Sequence, residues 1–177
     1  KGASLLGLGY PGGPIMDKLG RQGNSKAVDF PRTRLTTDSF KHQERMDPSL
    51  SFSYSGLKTS LMYYVRKHPD VVSEDQRQKD VVASYQEAII DSLIDRCGLA
   101  MRGHTTLAIG GGVSLNSRLR TRLVEEARGH AWRLLLTPPE YCADNAGMIA
   151  FAASLSVALP ERANMNVDAT PSLRIEV

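Results

Sequence analysis

An apolar stretch, Leu107-Ala108-Ile109, runs straight into Gly110-Gly111-Gly112 and then into Val113-Ser114-Leu115-Asn116. Three consecutive glycines keep side chains out of a strand-to-helix turn, so another molecule can approach the backbone closely. The helix expected next, over about Ser114 to Arg128, offers unpaired N–H groups and the positive end of its dipole, which favour an anion. Two readings follow. The turn binds phosphate or a nucleotide, or it is a tight turn in which glycine merely permits packing.

The flanking pattern repeats the alternation. A helix is expected from about Asp75 to Met101, where Val82, Tyr85, Ile89, Leu93 and Cys97 recur three and four apart and form one buried stripe. Residues 105 to 110 and Trp132 to Leu136 read as strands, the second ended by Thr137-Pro138-Pro139. A last helix starts near Asp144 and runs to Leu155. Strands alternating with helices imply a three-layer α/β unit with parallel pairing. Upstream, Leu5 to Gly13 is rich in glycine and reads as loop, and Pro14 suits the first turn of a helix ending near Arg21. Alternation over Val28 to Leu35 and Leu50 to Tyr54 predicts two short strands. Between them Thr36 to Ser49 reads as an exposed excursion, and a helix covers about Gly56 to Lys67. The closing segment, with Pro160 and Pro171, looks extended. Residues 1–80 thus form a helical and hairpin subdomain, 81–160 an α/β core, and 161–177 an extended tail.

With 177 residues the chain can bury one substantial core. A net charge of +3 permits a nucleic-acid partner without requiring one. Arg118, Arg120, Arg122, Arg128 and Arg133 cluster around one helix and the strand after it, and read as a solvated face rather than an RNA-binding stripe. Cys97 and Cys142 form no CxxC pattern, which fits a reducing cytosol. No apolar run reaches the roughly 20 residues of a membrane span, and the start does not resemble a signal peptide. It opens Lys1-Gly2-Ala3, like the middle of a protein, so a fragment is expected. His42, His68, His104 and His130 are isolated, which excludes an HExxH zinc helix from this segment. Gly7 to Gly12 satisfies G-x-G-x-x-G literally, but Pro11 removes an amide such a loop would use. Ser53-Tyr54-Ser55-Gly56 misses the nucleophile elbow, since Ser51 stands where its first glycine belongs.

Four segments carry a resemblance: Gly7-Leu8-Gly9-Tyr10-Pro11-Gly12-Gly13-Pro14, Ser51-Phe52-Ser53-Tyr54-Ser55-Gly56-Leu57-Lys58-Thr59, Ile109 to Asn116, and Cys142-Ala143-Asp144-Asn145-Ala146-Gly147-Met148-Ile149-Ala150. In this order, over about residues 1 to 158, the chain resembles the C-terminal portion of the TsaD family of tRNA threonylcarbamoyladenosine transferases, formerly described as O-sialoglycoprotein endopeptidases or glycoproteases. The resemblance implies one lobe of the actin, sugar-kinase and heat-shock-ATPase fold (ribonuclease H-like), with a mostly helical insertion, residues 1–80, gripping the nucleotide. It implies transfer of a threonylcarbamoyl group from threonylcarbamoyl-AMP to the N6 amine of the adenosine just after the anticodon, in tRNAs reading codons that begin with A. It also implies cytoplasmic location, tRNA and an adenine nucleotide as partners, and partner proteins of a tRNA-modification complex. No membrane is implied.

By the same resemblance Gly13, Asp17, Gly110, Gly111, Gly112 and Asn116 contact the nucleotide. Gly13 lets it lie against backbone, Asp17 accepts ribose hydroxyls, and the Asn116 amide offers both donor and acceptor. Asp144 matches the aspartate that holds a divalent metal, iron in the family, together with two histidines of a first lobe that this chain lacks. Read without the family, Asp144 is the N-cap of the last helix and Asn116 a polar residue in a first helical turn. No catalytic nucleophile stands out, so direct transfer is expected, and the chain alone is expected to be inactive. Ser51 replaces an acidic residue frequent in the family, and Tyr54 replaces a phenylalanine. The alternative is a chaperone-like or scaffold lobe that binds nucleotide without transferase activity. A metalloprotease has no supporting motif here.

Overall fold

The structure, a computed structural model, describes residues 1–32, 47 and 49–155. The chain divides into two compact units, Lys1–Ala143 and Asp144–Val177.

In the first unit, α1 (Gly2–Leu5) and α2 (Gly12–Gly20) lead to α3 (Ser55–Lys67) and the long α4 (Asp75–Ala100). Then come β1 (Thr106–Ile109), α5 (Ser117–Gly129) and β2 (Arg133–Leu136). Helix α4 is the post on which the unit is built. Its 26 residues span about 39 Å at 1.5 Å per residue, and it ends ahead of Gly103, whose φ of 80° suits glycine. The expected stripe understates its burial. Every residue from Val81 to Ala88 is buried, so this stretch is surrounded on all sides. Its first half joins Leu6, Phe30, Leu57, Leu61 and Val71 in one core. Further on, Ile90 and Ile94 join Leu119 and Leu123 in a second. The boundary expected between residues 80 and 81 therefore falls inside α4, which serves both cores.

Strands β1 and β2 pair in parallel, Thr106 opposite Arg133 and Ile109 opposite Leu136. Parallel neighbours need a crossover, here α5. Leu107, Ile109, Leu134 and Leu136 pack against the core of α4 and α5, while Ala108 and Leu135 on the opposite face are exposed. Among the described residues of this unit the α/β part has two layers, not the expected three.

Among the described residues neither of the two expected strands is found. Residues 28–32 and 50–54 pair with no strand among the described residues. The Val28 N–H donates to the Ser84 Oγ of α4 at 3.1 Å. Phe30 lies edge-on to Tyr64 and Tyr85, with ring centroids 5.8 and 5.5 Å away. The alternation there reflects a segment pinned to helices by side chains, not a ladder. Likewise the Ser51 carbonyl accepts from Arg96 Nε of α4 at 2.9 Å. Residues 33–35 of the first expected strand, almost all of the Thr36–Ser49 excursion, His42 and the closing segment from residue 156 lie outside the described residues. The opening expected as loop, Leu5 to Gly13, overlaps α1 only at Leu5, and α2 starts at Gly12, two residues before Pro14.

In the second unit, α6 (Ala146–Leu155) starts two residues later than expected. Its cap is Asn145, whose Oδ1 accepts from the Met148 N–H at 2.9 Å, so the capping role read for Asp144 belongs to its neighbour. Among the described residues no helix is long and apolar enough to cross a membrane.

Candidate functional site

Helix α5 starts at Ser117, three residues later than the sequence suggests, because Gly112–Leu115 forms a 3-10 turn and Asn116 is the cap. The three glycines separate by task. Gly111 has a φ of 84°, where a side chain is strained. A Cβ on Gly110 would sit 3.1 Å from Thr137 Oγ1, so this residue packs against the end of β2. Nothing lies within 4 Å of a Cβ built on Gly112, which faces open space. Two glycines make the turn and the third keeps a surface bare. Cys142, buried on the far side, closes the loop from behind: its Sγ lies 3.2 Å from Ser114 Oγ. Arg120 reinforces it by donating to the carbonyls of Ser114 at 2.6 Å and Thr137 at 2.9 Å. Cys97 and Cys142 are both free thiols.

Helix α2 faces this turn. Its Gly12 packs on α1, where a Cβ would meet the Ala3 Cβ at 2.6 Å. Its Gly13 resembles Gly112: a Cβ placed there would meet nothing within 4 Å. One turn on, Asp17 is 8% exposed. Its Oδ1 accepts from the Ser117 N–H at 3.1 Å and Ser117 Oγ at 2.8 Å, and its Oδ2 from Arg21 at 2.7 Å. Burial pushes the Asp17 carboxyl up, but the bonds from Arg21 and Ser117 outweigh it and hold the group below its ordinary 3.8. Asn116 Oδ1 accepts from the Leu119 N–H at 2.9 Å. The positive end of α5 is therefore already supplied with an anion and a cap from the chain itself. The expectation that this helix end presents unpaired N–H groups to a ligand phosphate is corrected at these two amides.

Gly13, Asp17, Gly112 and Asn116 nevertheless line one cavity of about 420 Å3, together with Arg21 and Val113. Gly110 and Gly111 are not among its lining residues. They shape the turn that presents Gly112. A second cavity, of about 460 Å3, shares Gly13, Val113 and Asn116 with the first. Its walls are mostly apolar, with Met16, Phe52 and Tyr54 among them. The Tyr54 hydroxyl is buried with no hydrogen-bond partner among the described residues, and burial pushes its pKa up to about 12, helped by Cys97. Gln86 of α4 also lines this cavity and accepts from Asn116 Nδ2 at 2.9 Å. Sequence reasoning missed Gln86 and Arg21. The one available signal was a glutamine inside the buried run of α4. Asp144 belongs to the second unit.

The arginine cluster is largely spent on internal pairs, correcting the expectation of a solvated face. Arg118 grips Glu87 with two bonds of 2.8 Å. Arg122 bridges Glu87 at 2.5 Å and Asp91 at 2.8 Å, and Arg32 holds Asp91 from the other side at 2.9 Å. Arg128 and Arg133 are exposed. The bond from Arg118, joined by that from Arg122, holds the Glu87 carboxyl below its ordinary 4.5 against the opposing effect of burial. Native Glu87 and Asp17 thus bind fewer protons than the unfolded chain at the same pH, so stability rises with pH through this range and is lost as pH falls. Thermal unfolding should show a midpoint that drops between about pH 5 and pH 3. The Glu87→Gln variant should show a visibly flatter drop, and an unchanged slope would mean the pairs contribute nothing.

A family model described as TsaD, tRNA N6-adenosine threonylcarbamoyltransferase, matches residues 1–151. A protein of that name from Anaeromyxobacter sp. strain Fw109-5 is 39% identical over 99% of this chain and 50% of its own length. Relatives of the same name from Clostridium perfringens strain SM101 and Clostridium beijerinckii are 37% and 38% identical, each over 99% of this chain and 49% of their own. The chain spans about half the length of the curated relatives it matches. With the four expected segments inside the matched region and relatives across nearly the whole sequence, the chain belongs to the TsaD family.

Proposed function

We propose that this chain is the C-terminal part of a tRNA N6-adenosine threonylcarbamoyltransferase and forms the nucleotide-holding wall of its active site, one lobe of the actin, sugar-kinase and heat-shock-ATPase fold. The observation that carries the reading is convergence. Gly13 and Asp17, about a hundred residues before Gly112 and Asn116, border the same cavity. Bare glycine backbone on two sides suits close approach by a nucleotide. The adjoining, more apolar cavity suits a base, and the first, where a carboxylate and an amide stand among apolar walls, suits a ribose.

In the proposed reaction the N6 amine of the tRNA adenosine attacks the carbonyl carbon of threonylcarbamoyl-AMP. The new C–N bond forms, the bond to the phosphate oxygen breaks, AMP leaves, and the amine loses a proton. This chain's groups contribute position: Gly13 and Gly112 allow contact, Asp17 and Asn116 orient the sugar, and the apolar cavity keeps water from the base. A divalent metal, iron in the family, would neutralise charge on the phosphate. Among the described residues no three His, Cys, Asp or Glu side chains are grouped to hold a metal ion. The described residues therefore do not make a complete metal centre by themselves. Asp144 would supply one carboxylate, and two histidines of the family's first lobe would supply the other donors. The same reasoning makes the chain inactive on its own, with tRNA and further proteins of the modification complex as partners in the cytoplasm.

The test uses the full-length protein. Titration with AMP should give saturable binding, and Gly13→Val should weaken it at least tenfold with an unchanged thermal midpoint, because the new side chain enters open cavity rather than protein. Equal affinity in the variant would remove Gly13 from the site. Elemental analysis of Asp144→Ala should show a loss of bound metal, and retention would end its proposed role.

A further inference from the structure

Between the two cavities stands a hydrogen-bonded chain whose direction is set by the backbone. The Leu119 N–H can only donate, so it selects the oxygen of the Asn116 amide, at 2.9 Å. That leaves Asn116 Nδ2 pointing at Gln86, whose Oε1 accepts at 2.9 Å. A flipped Asn116 would set donor against donor at Leu119 and acceptor against acceptor at Gln86. Gln86 is itself held. It is 7% exposed, and its Nε2 lies against Gly20 of α2, where a Cβ would come within 3.1 Å. An amide has two N–H donors and two acceptor sites. With one of each used, Asn116 keeps one N–H and one lone pair for whatever fills the cavities it borders.

We infer that Gln86 is a positioning residue: by fixing the Asn116 amide it leaves one aimed N–H, which selects a nucleotide bearing a hydrogen-bond acceptor at that point. The inference rests on the nucleotide reading given above and adds to it a residue that acts through Asn116. A glutamine buried only for packing would show no coupling to Asn116.

The experiment measures AMP affinity in the full-length protein by calorimetry, with thermal midpoints recorded alongside. Gln86→Met keeps the volume and removes the acceptor, and should weaken AMP binding about tenfold. Asn116→Asp keeps the oxygen that caps α5 and removes both N–H donors. In that background Gln86→Met should weaken binding no further, since the group it positions is gone. Gly20→Ala, which presses on Gln86 from α2, should show the same pattern at smaller size. Unchanged affinity in Gln86→Met, or an equal loss in both backgrounds, overturns the positioning role while the nucleotide reading stands. A wild-type protein that binds no AMP overturns the nucleotide reading, and this inference with it.

Discussion

Phe30→Ala should destabilise the protein by about 4 kcal/mol and lower its thermal midpoint by roughly 10 °C. Phe30 is 1% exposed and is among the largest fully buried side chains. It contacts Tyr64 of α3 and Tyr85 of α4 edge-on, an arrangement that adds to the area it buries. Residues 28–32 make no strand pairing among the described residues, so the ring is their main anchor to the helices. The cavity left between two helices cannot close without moving α4, which carries Gln86. Tyr63→Ala is the control, at a side chain on α3 that is 61% exposed, and should cost well under 1 kcal/mol. Denaturant titrations of both variants decide the matter. A cost below 1 kcal/mol for Phe30→Ala would mean that residues 28–32 are not anchored as described.

Gly23→Ala should cost about 3 kcal/mol, although it adds a single methyl group. A Cβ on Gly23 would fall inside the van der Waals envelope of the Lys79 carbonyl on α4, with the Asp80 nitrogen close behind. These are backbone atoms of a regular helix and cannot swing aside as a side chain would. The adjacent Asn24 N–H donates to Asp80 Oδ1 at 2.8 Å, fixing the approach from the other side. Gly23 stands in the turn after α2, so relief must push this turn off α4 and strain the joint between the helices that carry Asp17 and Gln86. AMP affinity should therefore fall together with stability, whereas Gly13→Val should lose affinity alone. A Gly23→Ala protein with a wild-type denaturation midpoint would contradict the close approach of this turn to α4.

Local pattern located the helices well. The helix expected at Gly56 to Lys67 is observed at Ser55–Lys67, and that expected at Asp75 to Met101 at Asp75–Ala100. Periodicity of apolar residues is a property of one segment, so neighbouring residues suffice to reveal it. The same pattern misled at residues 28–32 and 50–54. Alternating exposure arises equally in a strand and in an extended segment tied down by side chains, and only the location of the hydrogen-bond partners separates the two. The glycine run was legible as a turn. Which glycine faces a cavity was not, because that depends on Thr137 standing behind Gly110.

The two longer helices, the paired strands, the glycine turn and membership of the TsaD family were readable along the chain, since spacing and residue type carry them. The roles of the polar groups were not. Asp17 supports α5 through Ser117, 100 positions away, and Glu87 neutralises arginines 31 and 35 positions further on. A carboxylate, amide or guanidinium looks the same in sequence whether it faces water, a ligand or another part of the chain. Its partner becomes defined once packing on α4 has brought distant segments within hydrogen-bonding distance.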